Sequence, residues 1–358
     1  MYIIPAHLPT EQQRRLRNVK QKTYLQQNPI VIEIDGVQQR YDKPMPTHER
    51  PHSKKLFKKA FRLMQTREDF ENLQPLLSGF KKAGVVLKST HFGMSTKAAL
   101  SKDSLSSLIN CARHADDTGY LLTLEESGFL ILSRIASQAG TEENESAVKW
   151  LEQVMDILER SPHTKVPGQH DIRTSKIARG LMLATRVGDI EQSESPSTRQ
   201  LTALDDEIQL VRALWQKALA EPNAPLSLEI DQLDLNGLSP SHLKGALSRA
   251  NAVLQPLQLI RILGLNIKAL SAAPSILGQP SEPLPEASKR LDEYLTQTMS
   301  NAAKEFKRIG SSLPFYAHEY KAIVGRAPTW AEPMTDEEFA AAIQSSKEAK
   351  RQRTANKA

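Results

Sequence analysis

Residues 73–100 (LQPLLSGFKKAGVVLKSTHFGMSTKAAL) and 108–135 (LINCARHADDTGYLLTLEESGFLILSRI) align with each other at an offset of 35 residues. The offset places Leu73 on Leu108, Gly84 on Gly119, Leu87 on Leu122, Gly93 on Gly128, Met94 on Phe129 and Leu100 on Ile135. Each copy has the pattern of a helix, a glycine turn, an extended step and a second helix. One helical pair cannot bury its own apolar face, so such units stack on one another. The pattern predicts a mainly α fold with a repeat-like helical-hairpin body of the α-solenoid type.

Apolar residues at helical spacing mark further helices within and after these stretches. The two clearest stripes are Leu105, Leu108, Ile109, Ala112 and Ala115, and Val148, Leu151, Met155 and Leu158. Steps of three and four residues place each stripe on one helix face, which predicts the face that enters the core. A capping-box pattern, Thr123-Leu-Glu-Glu126, predicts the start of the helix that contains Phe129.

Over residues 68–186 these patterns resemble pentatricopeptide repeat proteins, helical-hairpin arrays of similar period that bind single-stranded RNA in organelles. The resemblance is degenerate, because Leu87-Lys88 and Leu122-Thr123 stand where the family usually has Pro-Asp, and the aromatic pattern that follows is absent. A readout of one base per repeat needs side chains at set positions of successive units. No base-reading residue is therefore assigned, and a hairpin array that binds protein rather than RNA is the alternative.

Positive charge is concentrated at the two ends of the chain, whose 358 residues carry a formal net charge of +6. Residues 1–62 contain 13 Lys and Arg against 5 Asp and Glu, and residues 343–358 contain 5 against 1. Net charges of +8 and +4 at the ends leave −6 for the stretch between them. Basic ends around a mildly acidic body are expected when terminal segments bind a polyanion. Such binding releases counterions from phosphates and is therefore sensitive to salt.

The N-terminal basic segment has the spacing of defined structure. Residues 11–27 predict one basic helix that ends before Pro29. Residues 30–34 and 37–41 are strand-like runs around Asp35-Gly36, a dipeptide that favours a type I′ turn. These runs predict a short β-hairpin.

A proline-rich stretch and a second basic helix follow the hairpin. Residues 43–51 contain three prolines and are expected to form an extended arm. Ser53 is placed to cap the next helix, in which lysines surround Leu56, Phe57 and Phe61. Phosphate contacts with RNA are expected from residues of both ends: Arg14, Arg15, Arg17, Lys20, Lys22, Arg40, Lys43, Lys54, Lys55, Lys58, Lys59, Arg62, Lys350, Arg351 and Arg353.

Two other uses of the basic ends stay open. Residues 1–28 are rich in Arg and poor in acids like a mitochondrial import signal, although they are Gln-rich rather than Ser-rich and lead directly into the hairpin. Import and RNA binding are compatible uses of this segment. The C-terminal run, residues 343–358, is equally consistent with a solubilising tail.

Changes of composition predict five segments along the chain. They are a basic N-terminal arm (1–62), a helical-repeat region (63–187), a linker (188–200), a second helical region (201–324) and a C-terminal helix with a basic tail (325–358). The linker is polar and contains three serines and a proline. A second capping-box pattern, Thr335-Asp-Glu-Glu338, predicts the start of the closing helix.

The second helical region is expected to have several breaks. Residues 204–219 carry one long apolar stripe, 241–271 predict two helices and 291–309 predict one, whereas 226–240 do not settle between strand and helix. Prolines at 274, 280, 283 and 285 predict a stiff connector. The longest apolar stretch, residues 257–277, contains Arg261 and Lys268, so no membrane span is expected and the protein should be soluble.

The sequence lacks a catalytic signature. The single cysteine, Cys111, lies on an apolar helical stripe and is expected to be a core residue rather than a nucleophile. His48 and His52 are four residues apart, but the proline between them opposes the helix that would bring both to one metal. His163 and His170 fall in a loop with Pro and Gly, where surface hydrogen bonds are expected. We expect no enzymatic activity, no cofactor, no metal and no small-molecule substrate.

The basic start, residues 40–44 (RYDKP), residues 53–57 (SKKLF) and the repeat-like helices are together similar to fungal mitochondrial ribosomal and ribosome-associated proteins. In such proteins basic extensions enter ribosomal RNA while a helical body docks on the exterior. The resemblance implies a non-catalytic structural component of the mitochondrial ribosome in the matrix, expected in the large subunit, with ribosomal RNA and mitochondrial ribosomal proteins as partners. The alternatives are an organellar pentatricopeptide-like RNA-processing or translation factor, and a helical protein-assembly scaffold without nucleic acid.

Overall fold

Helical periodicity in the sequence becomes helical structure along most of the described chain. The computed structural model describes residues 8–34, 36–44, 53–87, 89–122, 125–139, 141, 144–164, 172–220, 246–278 and 282–355. Within these residues the sheet structure is a single two-stranded hairpin near the N-terminus. The predicted mainly α fold with a short N-terminal β-hairpin is therefore confirmed. The chain divides into two units, residues 1–121 (unit 1) and 122–358 (unit 2), each with its own buried core.

Unit 1 begins with two short helices and the hairpin. Its elements are α1 (Thr10–Arg17), a 3-10 turn (Val19–Gln21), α2 (Lys22–Gln27), β1 (Ile30–Ile34), β2 (Val37–Tyr41), α3 (Ser53–Leu63), α4 (Arg67–Glu71), α5 (Leu73–Lys82), α6 (Ser89–Leu100), α7 (Leu105–Arg113) and α8 (Ala115–Thr118). The strands pair antiparallel, with Ile30 opposite Tyr41 and Ile34 opposite Val37. Gly36 in the turn has a φ of +78°, a conformation that favours glycine. The hairpin has the strand ends that the sequence predicts.

An aromatic cluster fixes the basic helix α3 on unit 1. The ring of Phe57 stacks on Phe61 at a centroid distance of 5.8 Å and meets Phe80 edge-on at 5.4 Å, while Phe61 meets Phe70 at 5.6 Å. Phe57 and Phe70 are almost fully buried. The apolar face of α3 is thus used for the core, and Lys59 and Arg62 of this helix are exposed.

Unit 2 is built from longer helices. Its elements are α9 (Glu125–Gln138), α10 (Asn144–Leu158), α11 (Ser161–Thr164), a 3-10 turn (Ile172–Thr174), α12 (Lys176–Glu191), α13 (Thr198–Ala220), α14 (Ala246–Leu277), α15 (Leu284–Glu305), α16 (Lys307–Gly310), α17 (Leu313–Val324) and α18 (Asp336–Ala355). The capping box before α18 is confirmed, since Thr335 N–H donates to Glu338 Oε2 at 2.9 Å and Glu338 N–H donates to Thr335 Oγ1 at 3.3 Å.

Helix α14 is the central helix of unit 2 and packs against α9, α12, α13, α15 and α17. Six of its large apolar residues are at most 3% exposed: Leu259, Ile260, Ile262, Leu263, Ile267 and Leu270. The prediction of two helices over 241–271 is wrong, because one helix runs from Ala246 to Leu277 through Pro256 and Pro274. An interior proline costs about 3 kcal/mol, whereas each buried large apolar side chain contributes about 1.5–3 kcal/mol. The free energy gained by burial of the apolar side chains therefore exceeds the cost of the two prolines. Pro274, which was expected in a stiff connector, lies inside this helix.

The apolar part of α14, Pro256–Leu277, is long and apolar enough to cross a membrane. However, 61% of its apolar window is buried by the protein itself. Its two charged residues are paired with neighbouring helices: Arg261 Nη2 lies 3.2 Å from Glu319 Oε1, and Lys268 Nζ lies 2.9 Å from Glu191 Oε2. This is the environment of a core helix.

Helices α12 and α14 approach closely at Gly180 and Asn266. A Cβ atom at Gly180 would lie 1.7 Å from Asn266 Oδ1 and 2.7 Å from its Cγ. Asn266 is fully buried, and its Nδ2 donates to Ile262 O at 2.8 Å, but its Oδ1 has no hydrogen-bond partner among the described residues. A buried polar atom without a partner costs about 1–3 kcal/mol. Packing of the two helices must offset that cost.

Two boundaries in unit 2 differ from the sequence expectation. Residues 188–191 of the expected linker are helical, because Gly188 packs against α9: a Cβ there would lie 2.9 Å from the carbonyl carbon of Ala139. The irregular connection therefore runs over 192–197. The predicted 291–309 helix is interrupted at Phe306, whose extended backbone (φ −122°, ψ 100°) separates α15 from α16. Ile309 beyond the break is still buried.

Several sequence expectations fall outside the described residues. They are most of the extended arm (45–51), the capping residue Thr123, the histidines 48, 52 and 170, the ambiguous stretch 226–240 and Pro280. Their predictions stay predictions.

Replacing Gly180 by Ala is expected to destabilise unit 2, because the new Cβ would overlap Asn266 Oδ1. Overpacking of this kind costs about 1–3 kcal/mol, which urea or thermal unfolding would measure. The double variant G180A/N266A removes the overlap and should be more stable than G180A alone.

The matched control is Gly79→Ala, since a Cβ at this helical position meets nothing within 4 Å. It should leave the free energy of unfolding unchanged or raise it slightly. Equal stability of G180A and G79A would show that the contact between α12 and α14 is not tight.

Candidate nucleic-acid interface

The basic N-terminal segment folds around an apolar cluster of its own. Leu8, Leu16, Leu25 and Tyr41 are buried together, and Ile30 and Ile32 pack against them. This cluster holds α1, α2 and the hairpin side by side. The cations of residues 8–41 are therefore carried by a folded surface.

The single helix predicted over 11–27 is wrong, because the chain breaks at Asn18. Asn18 has an extended backbone (φ −102°, ψ 113°), and its Oδ1 accepts a hydrogen bond from Lys20 N–H at 3.0 Å. Asn side chains compete with helical hydrogen bonding in this way. Leu16 and Leu25 are nine residues apart and would lie on opposite faces of one straight helix. The break allows both leucines to enter the same cluster.

Arg15 is one of the predicted phosphate ligands, and the structure uses it internally. Its Nη2 lies 2.5 Å from Glu11 Oε1, its Nη1 donates to Tyr24 Oη at 2.6 Å, and its guanidinium lies 4.7 Å from the centroid of the Tyr24 ring. The hydrogen bond to Glu11 raises the pKa of Arg15. The side chain links α1 to α2, so only part of its charge is available to a ligand.

Arg14 and Arg17 lie where α1 meets the end of α5. Arg17 Nη1 donates to Ala83 O at 2.5 Å, and Arg14 Nε lies 3.8 Å from the position that a Cβ on Gly84 would take. A cation at a helix C-terminus is favoured by the helix dipole and by the free carbonyl groups there. Arg17 thus fastens the N-terminal segment to α5.

Lys81 has a similar structural role that sequence reasoning missed. Its Nζ donates to Ala115 O at 3.3 Å and also to Asp116 O, both in α8. Lys81 lies outside the basic runs, and the contact spans 34 residues of sequence. The 35-residue offset was the available signal, because it brings the glycine turn after α5 into register with the turn after α8.

The remaining predicted cations of unit 1 lie on its surface. Lys20, Lys22, Arg40, Lys59 and Arg62 are exposed, and the described residues offer none of them a carboxylate partner. Lys43 is exposed but interacts with another group of the protein, and Lys58 is half-buried. An unpaired, solvated cation can exchange its counterions for a phosphate at little cost in structure. These five residues are the ones best suited to bind a polyanion.

The other predicted cations are described only through their backbone. Lys54 and Lys55 lie in the first turn of α3, and Lys350, Arg351 and Arg353 lie in the last turns of α18. The backbones of these five residues are therefore helical. The C-terminal run is not an irregular tail over residues 343–355.

Of the six aromatic residues within 63–186 that could stack on RNA bases, four are buried in the two cores and two are half-buried. Phe70, Phe92 and Tyr120 of unit 1 are at most 6% exposed, as is Phe129 of unit 2, and Phe80 and Trp150 are half-buried. Phe92 meets Tyr120 edge-on at 5.8 Å, and Tyr120 Oη is hydrogen-bonded to Thr96 Oγ1 at 2.6 Å. Base stacking requires exposed ring faces. None of these six residues offers a fully exposed ring.

Two side chains that could take part in catalysis or metal binding, Cys111 and His163, are buried in the structure. Cys111 is fully buried, as predicted, and burial raises the pKa of its thiol to about 12. The prediction of a surface role for His163 is wrong: it is 3% exposed in α11, where its Nδ1 accepts a hydrogen bond from Leu122 N–H at 3.2 Å. A buried amide needed that acceptor. Over the described residues, no three His, Cys, Asp or Glu side chains are grouped so as to hold a metal ion.

The described chain is thus mainly helical, with Cys111 and His163 buried and with exposed cations on unit 1. Comparison with known families identifies the family of the chain. Residues 1–322 match the model of the family described as mitochondrial ribosomal protein mS27. The match covers most of the chain, and the chain belongs to this family. The resemblance to mitochondrial ribosomal proteins is thereby confirmed, and the protein is a mitochondrial matrix protein of the translation apparatus.

A curated relative agrees with the family match. The chain is 29% identical over 163 residues to the small ribosomal subunit protein mS27 of Neurospora crassa. The aligned region covers 44% of this chain and 41% of the relative. The chain thus spans about two fifths of the length of the curated relative that it matches.

The division between structural and solvated cations predicts different effects of two substitutions. Arg17→Met removes the hydrogen bond to Ala83 O and should destabilise the packing of residues 8–41 on α5 by about 1 kcal/mol. Lys20→Met, at a solvated position, should change stability by less than about 0.5 kcal/mol. Limited proteolysis and hydrogen exchange of the N-terminal segment would measure the difference. Equal protection in both variants would contradict the anchoring role of Arg17.

Proposed function

We propose that the protein is a non-catalytic structural component of the small subunit of the mitochondrial ribosome. Its basic ends contact ribosomal RNA, and its helical body contacts neighbouring ribosomal proteins. The observation that carries this proposal is the match of residues 1–322 to the mS27 family. The relative from Neurospora crassa is named as a small-subunit protein, which supports the small subunit and not the large subunit that the sequence suggested.

Solvated cations support the contact with RNA. Lys20, Lys22, Arg40, Lys59 and Arg62 are the strongest candidates, because they are exposed and because no described carboxylate competes for them. Arg15 and Arg17 position this surface through their hydrogen bonds to Tyr24 Oη and Ala83 O, and Arg14, which is exposed, adds charge beside them. Contacts of this kind position a protein on an RNA backbone without reading its sequence.

The repeat-like pattern supports a structural use of the helices. Gly84 and Gly119, which the 35-residue offset aligns, both have left-handed backbones, with φ of +70° and +72°. Both follow a helix end, which agrees with two copies of one helix-and-turn unit. Burial of the aromatic residues argues against a pentatricopeptide-like readout of single-stranded RNA. We therefore favour helices that pack and dock over helices that read bases.

Charge reversal on unit 1 tests the RNA contact without deleting core residues. The variant with Lys20→Glu, Lys22→Glu and Lys59→Glu should leave small subunits at lower salt than the unmodified chain in gradient sedimentation. Each phosphate contact contributes about 0.9 to the slope of log affinity against log salt, so the slope should fall by up to about 3. Truncation at residue 62 would be less clear, because Phe57 and Phe61 belong to the core of unit 1.

The matched control reverses three exposed lysines of unit 2, Lys217, Lys289 and Lys321, which gives the same net charge. It should dissociate like the unmodified protein. Dissociation of both variants at the same salt would contradict a specific role of the N-terminal surface. Retention of the protein in nuclease-treated particles with unchanged salt sensitivity would favour the protein-assembly scaffold.

A further inference from the structure

Helix α18 is fixed to unit 2 at its first turn. The ring of Phe339 stacks with Phe315, at a centroid distance of 4.8 Å and an interplanar angle of 23°, and with His318, at 3.9 Å and 21°. His318 Nδ1 lies 3.0 Å from Met334 O in the segment that leads into the helix. Together with the Thr335–Glu338 capping box, this ring clamp determines both the start and the direction of α18.

Beyond the clamp, Ala342 and Ile343 of α18 are half-buried, and the other side chains that the structure describes are exposed. Ala340, Ala341, Gln344, Ser345, Glu348 and Gln352 are all exposed. The helix continues for 16 residues after Phe339, to Ala355, which corresponds to about 24 Å at 1.5 Å per residue. Gln344 Nε2 donates to Glu348 Oε1 at 2.9 Å within the helix and supports it at this exposed stretch.

Charge is separated along α18. The first turn contains Asp336, Glu337 and Glu338, whereas the distal half contains Lys347, Lys350, Arg351 and Arg353 with Glu348 as its acidic residue. Residues 347, 350 and 351 fall at i, i+3 and i+4 and share one helix face. Acidic residues at the start and basic residues at the end also complement the helix dipole. The polarity stabilises the helix and concentrates positive charge at its distal end.

The composition of α18 favours RNA over a membrane as the partner of that end. After Phe339, which the clamp occupies, Ile343 is the one large apolar residue in the sequence up to residue 358. A helix that lies in a membrane interface needs a continuous face of large apolar residues. Small and polar side chains around a basic face instead suit an RNA backbone, where charge supplies the affinity.

We propose that α18 is a rigid strut that holds its basic distal half against the phosphates of ribosomal RNA, and that Phe339 is the positioning residue that aims it. The proposal rests on the RNA-binding role proposed above and adds that the contact depends on direction as well as charge. A pre-ordered helix avoids the conformational entropy that a flexible basic tail loses when it binds.

Variants that break the strut without removing charge test this proposal. The full-length chain would be titrated onto a transcript of mitochondrial small-subunit ribosomal RNA at several salt concentrations. Phe339→Ala, which opens the clamp, and Ser345→Pro, which breaks the helix between clamp and basic end, should each weaken binding about threefold to tenfold. Phe339→Tyr keeps the ring stack and Ser345→Ala keeps the helix, so both should bind like the unmodified chain. Circular dichroism and thermal unfolding would verify that unit 2 stays folded.

A charge variant separates failure of the strut from failure of RNA binding. Lys350→Ala, Arg351→Ala and Arg353→Ala combined should weaken binding and reduce its salt dependence. If this variant binds weakly while F339A and S345P bind normally, the tail acts through charge alone and the strut is overturned. If the combined charge variant binds RNA normally, α18 does not contact RNA and the strut is overturned. If the unit 1 charge-reversal variant also binds normally, the proposed function is overturned as well. The same variant would also be tested for pelleting with phosphatidylcholine vesicles that contain cardiolipin. If the three substitutions reduce pelleting but leave RNA binding unchanged, the partner of α18 is a membrane surface and the strut is overturned.

Discussion

Burial of α14 is the constraint on which unit 2 depends. Five other helices pack around it, and its apolar residues are hidden although two prolines interrupt its hydrogen bonding. Gly180 allows the close approach of α12 and α14 while Asn266 is in place, because a Cβ at 180 would overlap the Asn266 side chain. Helices α15 and α17 also pack on α14, and α17 supplies the rings that clamp α18. The position of the C-terminal basic residues is thus set by a core more than 60 residues earlier in the sequence.

Local patterns predicted the elements well, since they depend on neighbouring residues. The hairpin ends, the apolar stripe from Leu105 to Ala115 and the capping box at Thr335 are all present as expected. The predicted helix boundaries were wrong where contacts between residues distant in sequence determine the structure. The helix break at Asn18 serves a cluster completed by Tyr41, and the uninterrupted α14 is maintained by helices from both sides of it in the chain. The spacing of apolar residues alone identifies neither Tyr41 as part of the N-terminal cluster nor the helices that pack on α14.

The candidate interface was predictable in its location but not in its composition. Counting charges identified the N-terminal segment, because a surplus of cations has to be solvated or matched by a partner. It could not separate Arg17, which binds a backbone carbonyl of α5, from Lys20, which is solvated three residues later. That distinction depends on which end of α5 meets α1, and Lys81 was missed for the same reason. Burial of Phe92 and Tyr120 was also needed to separate packing aromatics from stacking ones.

The burial of Cys111 affects how readily the protein is oxidised in a respiring organelle. Peroxide and electrophiles react with the thiolate, and a thiol whose pKa is about 12 holds a negligible fraction of that form near neutral pH. The chain has a single cysteine, and it is fully buried. Sulfenic acid formation and mixed disulfides with glutathione are therefore suppressed as long as unit 1 stays folded. Labelling by a thiol reagent would report opening of this core and nothing else in the chain.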